Sequence, residues 1–190
     1  MNQAIRFPVG NPAGWFAPGA YPIPNPYLKN WLLDTGSLTE RLQAHCRQFS
    51  LSLLGQRQAD VDLEEFRALD VQEPSSSAPP WQVREVLLYG DGQPWVYARS
   101  ILPEALCRGD FAGLGEQPLG KLLFNDQRFV RMPFQLCRVA VDAPILSRLQ
   151  QQSNHTLWGR RSVFTFAQYR IMVAELFLPQ APAYAQLSEG

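Results

Sequence analysis

Residues 81–103 read WQVREVLLYGDGQPWVYARSILP, and this stretch decides the fold. Two apolar runs flank Gly90-Asp91-Gly92, and glycine beside aspartate supplies the backbone freedom that a tight hairpin turn requires. Trp81–Tyr89 and Pro94–Leu102 are therefore expected to be antiparallel strands, with Pro103 ending the second. Side chains alternate between faces along a strand. Arg84 then shares a face with Val86 and Leu88, whereas Glu85 goes with Val83, Leu87 and Tyr89. An arginine turned into an apolar layer offers a planar fork that fits a carboxylate, on a ligand or on another side chain. Arg99, in Trp95-Val96-Tyr97-Ala98-Arg99, is a further inward candidate on the partner strand.

A second hairpin follows near the C-terminus: Arg161–Ala167, a turn at Gln168-Tyr169, and Arg170–Leu178. Its last strand, Ile171-Met172-Val173-Ala174-Glu175-Leu176-Phe177-Leu178, carries one carboxylate among apolar residues. Burying that carboxylate is costly unless it is paired or hydrogen-bonded. Burial alone raises its pKa, and a nearby cation lowers it. Glu175 is thus either a functional carboxylate, half of a structural ion pair with Arg84, or a sheet-edge residue reaching water. Just upstream, Leu157-Trp158-Gly159-Arg160-Arg161 places an aromatic, a glycine and two guanidinium groups at a strand entrance. That set fits a small anion site or a solvated basic turn with Trp158 in the core.

Working outward, Ser37-Leu38-Thr39-Glu40 is a capping box, which predicts a helix running to about Gln48. A shorter helix is expected over Pro26–Leu33, a strand over Phe49–Gly55, and a short helix over Pro118–Phe124. Arg128–Val141 reads as a strand interrupted at Pro133, and Leu146–Asn154 as a polar helix. Pro74–Pro80 is a loop by composition. The sum is α+β: a single antiparallel β-sheet of about six strands with helices packed on it. Residues 1–25 form a Pro-rich N-terminal arm and residues 26–190 a single domain. Phe7–Leu28 has no charge, but its six prolines preclude a membrane-spanning helix. Its aromatics, Trp15, Phe16, Tyr21 and Tyr27, favour an arm that packs over a disordered tail.

Composition removes several classes of function. Hydrophobic residues make up 46% and aromatics 12%, enough for a sizeable core. Seventeen basic and 17 acidic residues balance, so nothing draws the chain globally to nucleic acid or to an anionic membrane. Three cysteines, Cys46, Cys107 and Cys137, are too few and too far apart for a disulfide framework or a zinc site, which points to the reducing cytoplasm. Two histidines leave little for a metal site or a catalytic triad. There is no nucleophile elbow, P-loop, dinucleotide fingerprint or His-Glu-x-x-His.

The pieces also occur in a recognisable order. Trp31-Leu32-Leu33 precedes the Ser37 box. Val83-Arg84-Glu85-Val86-Leu87-Leu88, Gly92-Gln93-Pro94-Trp95 and Arg99–Pro103 come next. Pro118-Leu119-Gly120-Lys121-Leu122-Leu123-Phe124, Leu157-Trp158-Gly159-Arg160-Arg161-Ser162, Glu175-Leu176-Phe177-Leu178-Pro179 and Pro182-Ala183-Tyr184 complete the series. Over residues 27–184 the chain resembles the bacterial chorismate pyruvate-lyases. Each piece is weak alone, and the ordered set is specific.

The resemblance implies a cofactor-free, metal-free enzyme that converts chorismate to 4-hydroxybenzoate and pyruvate. Its site would be buried beneath helical flaps, with product inhibition expected and the product entering ubiquinone synthesis. Arg84 would bind the ring carboxylate and Glu175 would lie by the ring hydroxyl, as hydrogen-bond partner or as base. Leu119 would line the site, and Leu38 takes a flap position where methionine can occur. A second cation for the enolpyruvyl carboxylate is expected among Arg160, Arg161 and Arg99. The implied protein is a cytoplasmic monomer with no nucleic-acid partner and no stable membrane insertion, handing its product to a membrane-bound prenyltransferase. The arm and the 128–154 segment fit the resemblance least. The alternative is a non-catalytic domain binding small carboxylates, as in bacterial transcription regulators. Those domains follow a helix-turn-helix, for which a Pro-rich 1–25 arm leaves no room.

Overall fold

In a computed structural model describing residues 4–12, 14–70, 81–115 and 117–187, the alternating stretches become one seven-stranded antiparallel sheet. Its strands are β1 Phe49–Gln58, β2 Trp81–Gly90, β3 Gln93–Pro103, β4 Val130–Arg131, β5 Gln135–Val139, β6 Leu157–Phe166 and β7 Tyr169–Phe177. They lie in the order β1-β2-β3-β7-β6-β4, with β5 also on β6. The helices are α1 Pro26–Leu33, α2 Leu38–Gln43, α3 Leu63–Leu69, α4 Glu104–Arg108, α5 Leu119–Asn125 and α6 Pro144–Arg148. The loop expected at Pro74–Pro80 lies outside the described residues.

Local chemistry explains where the elements stop. Ser37 Oγ accepts the Glu40 amide at the start of α2. That helix ends at Gln43 rather than near Gln48, because the Arg47 and Gln48 amides donate to Asp91 Oδ1 and swing the chain into β1. The polar helix expected over 146–154 is only α6, since Gln150 turns left-handed with φ 56°. Neither α3 nor α4 was expected from periodicity. The signal for α3 was present as Asp62 and Glu65, which form a reciprocal capping box.

The sheet's two faces carry different cargo. Cross-strand register lines up Gln56, Arg84, Ser100, Val173 and Ser162 on one face. The next row on that face is Val86, Ala98, Glu175 and Arg160. Helices α1, α2, α4 and α5 cover this front face, with Leu106, Cys107, Leu119 and Leu123 packing on Leu102, Phe164 and Ile171. On the back face, Leu69 of α3 packs on Val83, Ile101, Val163 and Met172.

Between them on the back runs a row of charge. Arg99 Nε donates to Glu65 Oε1 at 2.7 Å and Nη1 donates to Glu85 Oε1 at 2.8 Å. The N-terminal arm completes it: the Val9 and Gly10 amides donate to the Glu85 carboxylate, and Tyr97 Oη donates to the Gly10 carbonyl. The arm also pairs with the sheet through Phe16 and Leu136. Both carboxylates of this cluster are fully buried, so removing their shared cation strands two charges. Arg99→Ala is expected to destabilise the fold by about 3–5 kcal/mol in urea or guanidinium denaturation. A loss below about 1 kcal/mol would mean that the arm and α3 do not depend on this cluster.

Candidate active site

The front face gathers three guanidinium groups around one sheet carboxylate. Arg84 comes from β2, Glu175 from β7, Arg160 from β6 and Arg131 from the short β4. Glu175 and Arg160 are direct cross-strand neighbours. Arg84 is two strands away and one row along, which puts its Cα roughly 12 Å from that of Glu175 by sheet spacing.

Arg84 is 2% exposed, yet no carboxylate lies within ion-pair distance among the described residues. Its partners are neutral. Nη1 donates to Gln56 Oε1 at 3.2 Å and to the Gly115 carbonyl at 2.6 Å, and Nη2 donates to the Gln117 carbonyl at 2.8 Å. Burial pushes its pKa down to about 10, which leaves it a cation at neutral pH. A guanidinium held in this way is a strong site for an anion, because an incoming carboxylate restores the missing countercharge.

Glu175 does not meet Arg84. Its Oε2 accepts Arg160 Nε at 2.7 Å, and the side chain remains 18% exposed. Arg160 Nη1 then donates to the carbonyls of Trp31 and Asp34. One guanidinium therefore fixes the carboxylate and also the connector between α1 and α2. The pair opens onto a small, partly open cavity of about 20 Å³ walled by Gly120, Leu123, Phe124, Phe134, Phe164, Ser162, Val173 and Arg131. That volume holds one water-sized body. A six-membered ring requires α5, which supplies Gly120, Leu123 and Phe124, to move away from the sheet. Leu119 opens α5 and Leu38 opens α2, both buried. The two helices meet where Thr39 Oγ1 lies 3.9 Å from the Cβ position of Gly120.

Two expected cations are elsewhere. Arg99 faces the back, and the reason is a β-bulge. The hairpin starts with Gly90 opposite Gln93, a register that would set Arg99 opposite Arg84 on the front. Pairing shifts between Leu88 and Tyr89, Trp95 is passed over, and Arg99 falls opposite Glu85. Trp95 turns its ring over Gly90, where any Cβ would sit 2.2 Å from it. Arg161 also faces the back, opposite Ala174 and Gln135. It donates to Gln135 Oε1 at 2.8 Å and stacks on Trp15 of the arm. The doublet Arg160-Arg161 is thus split by the pleat, and only Arg160 reaches the front.

Arg131 was missed. Its two-residue strand carries no periodicity, and the only hint was its place between Phe129 and Phe134. Elsewhere, burial pushes the Cys107 thiol up to about 11 and the Cys137 thiol up to about 12, so neither is a nucleophile at neutral pH. Among the described residues no three His, Cys, Asp or Glu side chains cluster as metal ligands.

Comparison with known proteins gives a family by sequence and a shared fold by shape. The sequence model of the family described as chorismate lyase matches residues 9–188. A probable chorismate pyruvate-lyase of Pseudoalteromonas atlantica is 52% identical over 97% of this chain and 96% of its own length. One from Shewanella frigidimarina is 35% identical over 99% and 100%. Among solved structures, the effector domain of PhnF from Mycobacterium smegmatis superposes with a TM-score of 0.52 at 18% identity, covering 75% of this chain and 88% of that one. A GntR-family transcriptional regulator from Bacillus cereus gives 0.51 at 12% identity, covering 70% and 92%. At such identity the likeness is one of fold alone.

The Arg160 contacts carry a prediction. Arg160→Met removes the Glu175 pair and the contacts to the carbonyls of Trp31 and Asp34. Amide hydrogens of residues 34–40 are expected to exchange about tenfold faster or more in hydrogen-exchange measurements. Unchanged exchange would mean that the connector stays closed without Arg160.

Proposed function

The chain belongs to the chorismate lyase family, and we propose on that basis and on the chemistry of the front face that it converts chorismate to 4-hydroxybenzoate and pyruvate. The observation that carries the assignment to these residues is the buried, carboxylate-free Arg84 on the same face as the Glu175–Arg160 pair. Their backbone separation of roughly 12 Å suits one six-membered ring bracketed at its two ends. The ring carboxylate goes to Arg84. The hydroxyl on carbon 4, opposite it, goes to Glu175.

The chemistry asks little of acid or base. The bond from ring carbon 3 to the ether oxygen breaks. The hydrogen on carbon 4 passes to the enolpyruvyl methylene, which becomes the methyl group of pyruvate. A double bond between ring carbons 3 and 4 completes the aromatic ring, and this supplies the drive. The protein's part is to hold the conformer in which that methylene lies over carbon 4, and to stabilise charge gathering on the ether oxygen. Glu175, already engaged by Arg160, acts as acceptor for the carbon 4 hydroxyl rather than as the base. Helices α2 and α5, led by Leu38 and Leu119, close over the ring and keep water out, so release requires them to part.

The enzyme is read as a cytoplasmic monomer that needs no nucleic acid, with its product passing to a membrane-bound prenyltransferase of ubiquinone synthesis. Balanced charge supports the lack of a nucleic-acid partner, and no helix among the described residues is long and apolar enough to cross a membrane.

Incubating the purified protein with chorismate is expected to yield 4-hydroxybenzoate and pyruvate in equal amounts. Binding without turnover would favour the small-carboxylate sensor that the fold also suits. Arg84→Ala is expected to lower kcat/KM about 100-fold, and wild-type kinetics in that variant would remove Arg84 from the site. Glu175→Gln should keep most activity while Glu175→Ala loses it; equal losses would restore the base role. Added 4-hydroxybenzoate is expected to slow turnover, and insensitivity to it would discard the closed flaps.

A further inference from the structure

A dianion needs a second cation, and the reading above fixes where that cation must stand. With the ring carboxylate on Arg84 and the carbon 4 hydroxyl at Glu175, the ring axis is set. The enolpyruvyl ether leaves from carbon 3, the neighbour of carbon 4. Its carboxylate must therefore lie beside Glu175, away from Arg84. Two guanidinium groups wall the cavity at that end, those of Arg160 and Arg131.

Arg160 is already committed, with Nε on Glu175 and Nη1 on the carbonyls of Trp31 and Asp34. Arg131 is not. Its register opposite Phe164 aims it at the front face. Nη2 donates to the carbonyl of Thr35, and the guanidinium lies against the rings of Phe124, Phe134 and Phe164 at 5.0, 4.7 and 5.8 Å. Among the described residues no ion pair includes it. Burial, and then the charge of Arg160, push its pKa down, while Glu175 and Asp34 push the other way. A carboxylate that replaces a neutral carbonyl in this half-buried aromatic setting gains a charge-assisted bond.

We propose that Arg131 binds the enolpyruvyl carboxylate of chorismate and so selects the dianionic substrate over the monoanionic aromatic product. The assignment rests on the lyase reading above. Arg131 orients the enolpyruvyl arm so that its methylene faces the hydrogen on carbon 4. After the carbon 3–oxygen bond breaks, that carboxylate belongs to pyruvate, and 4-hydroxybenzoate retains only Arg84 and Glu175. The residue therefore contributes to substrate binding and not to product binding.

The test compares two ligands on one enzyme. Arg131→Met and Arg131→Lys are made in the full chain, and kcat and KM for chorismate are measured beside the inhibition constant for 4-hydroxybenzoate. Arg131→Met is expected to lose at least about 30-fold in kcat/KM while the inhibition constant moves by less than about threefold. Arg131→Lys is expected to recover part of the loss, because it keeps the charge without the fork. Wild-type kcat/KM in Arg131→Met overturns the assignment, as does an equal loss for both ligands. If Arg131→Met does not fold, Arg131→Lys is judged by the same split between ligands. A wild-type protein inert toward chorismate removes the lyase reading and this assignment with it, whereas an active wild type with an indifferent Arg131 removes this assignment alone.

Discussion

Consecutive side chains on a strand point to opposite faces, so the Arg84-Glu85 doublet of β2 cannot pair with itself. Arg160-Arg161 of β6 is divided in the same way. Each face must then settle its own charge in a poorly solvated layer. The back does so internally: Arg99 lies between Glu65 and Glu85, and two arm amides take up the remaining capacity of Glu85. The front has Arg84, Arg131 and Arg160 around the single sheet carboxylate Glu175. One face pairs its cation with two carboxylates and holds the molecule together. The other carries a surplus of positive charge, which suits the dianion of the proposed reaction.

The same cations also hold the cover. Arg84 grips the carbonyls of Gly115 and Gln117 ahead of α5. Arg160 and Arg131 grip those of Trp31, Asp34 and Thr35 ahead of α2. Backbone carbonyls are neutral acceptors, and carboxylates bind guanidinium more strongly. On the proposed reading, substrate anions and these backbone carbonyls compete for the same donors. In that reading, ligand entry and rearrangement of α2 and α5 are coupled, beside the aromatic walls of Phe124, Phe134 and Phe164.

The arm belongs to this economy of charge. Val9 is buried, its amide meets Glu85, and its carbonyl accepts from Arg148 of α6. Phe7 lies over Gly55, where a Cβ would come within 2.5 Å of the ring. A Pro-rich segment with little secondary structure of its own is ordered by the back-face carboxylate that its amides bond. The sheet itself is shared with regulator domains at 12–18% identity, so it serves as a frame. Function resides in which charges the pleat delivers to the front.

How much of this was legible follows from how local each signal is. Alternation within β2 placed Arg84 and Glu85 on opposite faces, the Gly90-Asp91-Gly92 turn gave the hairpin, and Glu175 stood out as a carboxylate among apolar residues. Those readings need only neighbours in the chain. Arg99 was misplaced because a bulge at Trp95 shifts the register by one, and a shift of one residue exchanges the faces. Arg131 was invisible because β4 is two residues long and takes its orientation from Phe164, which lies 33 positions further along the chain. The capping signal for α3 was present but unread. The sequence by itself therefore determined that Arg84, Arg99 and Glu175 enter apolar layers, since alternation along a long strand is read from near neighbours. Only the tertiary structure decided which of them share a face, because register between strands is a property of the packed sheet and of no single strand.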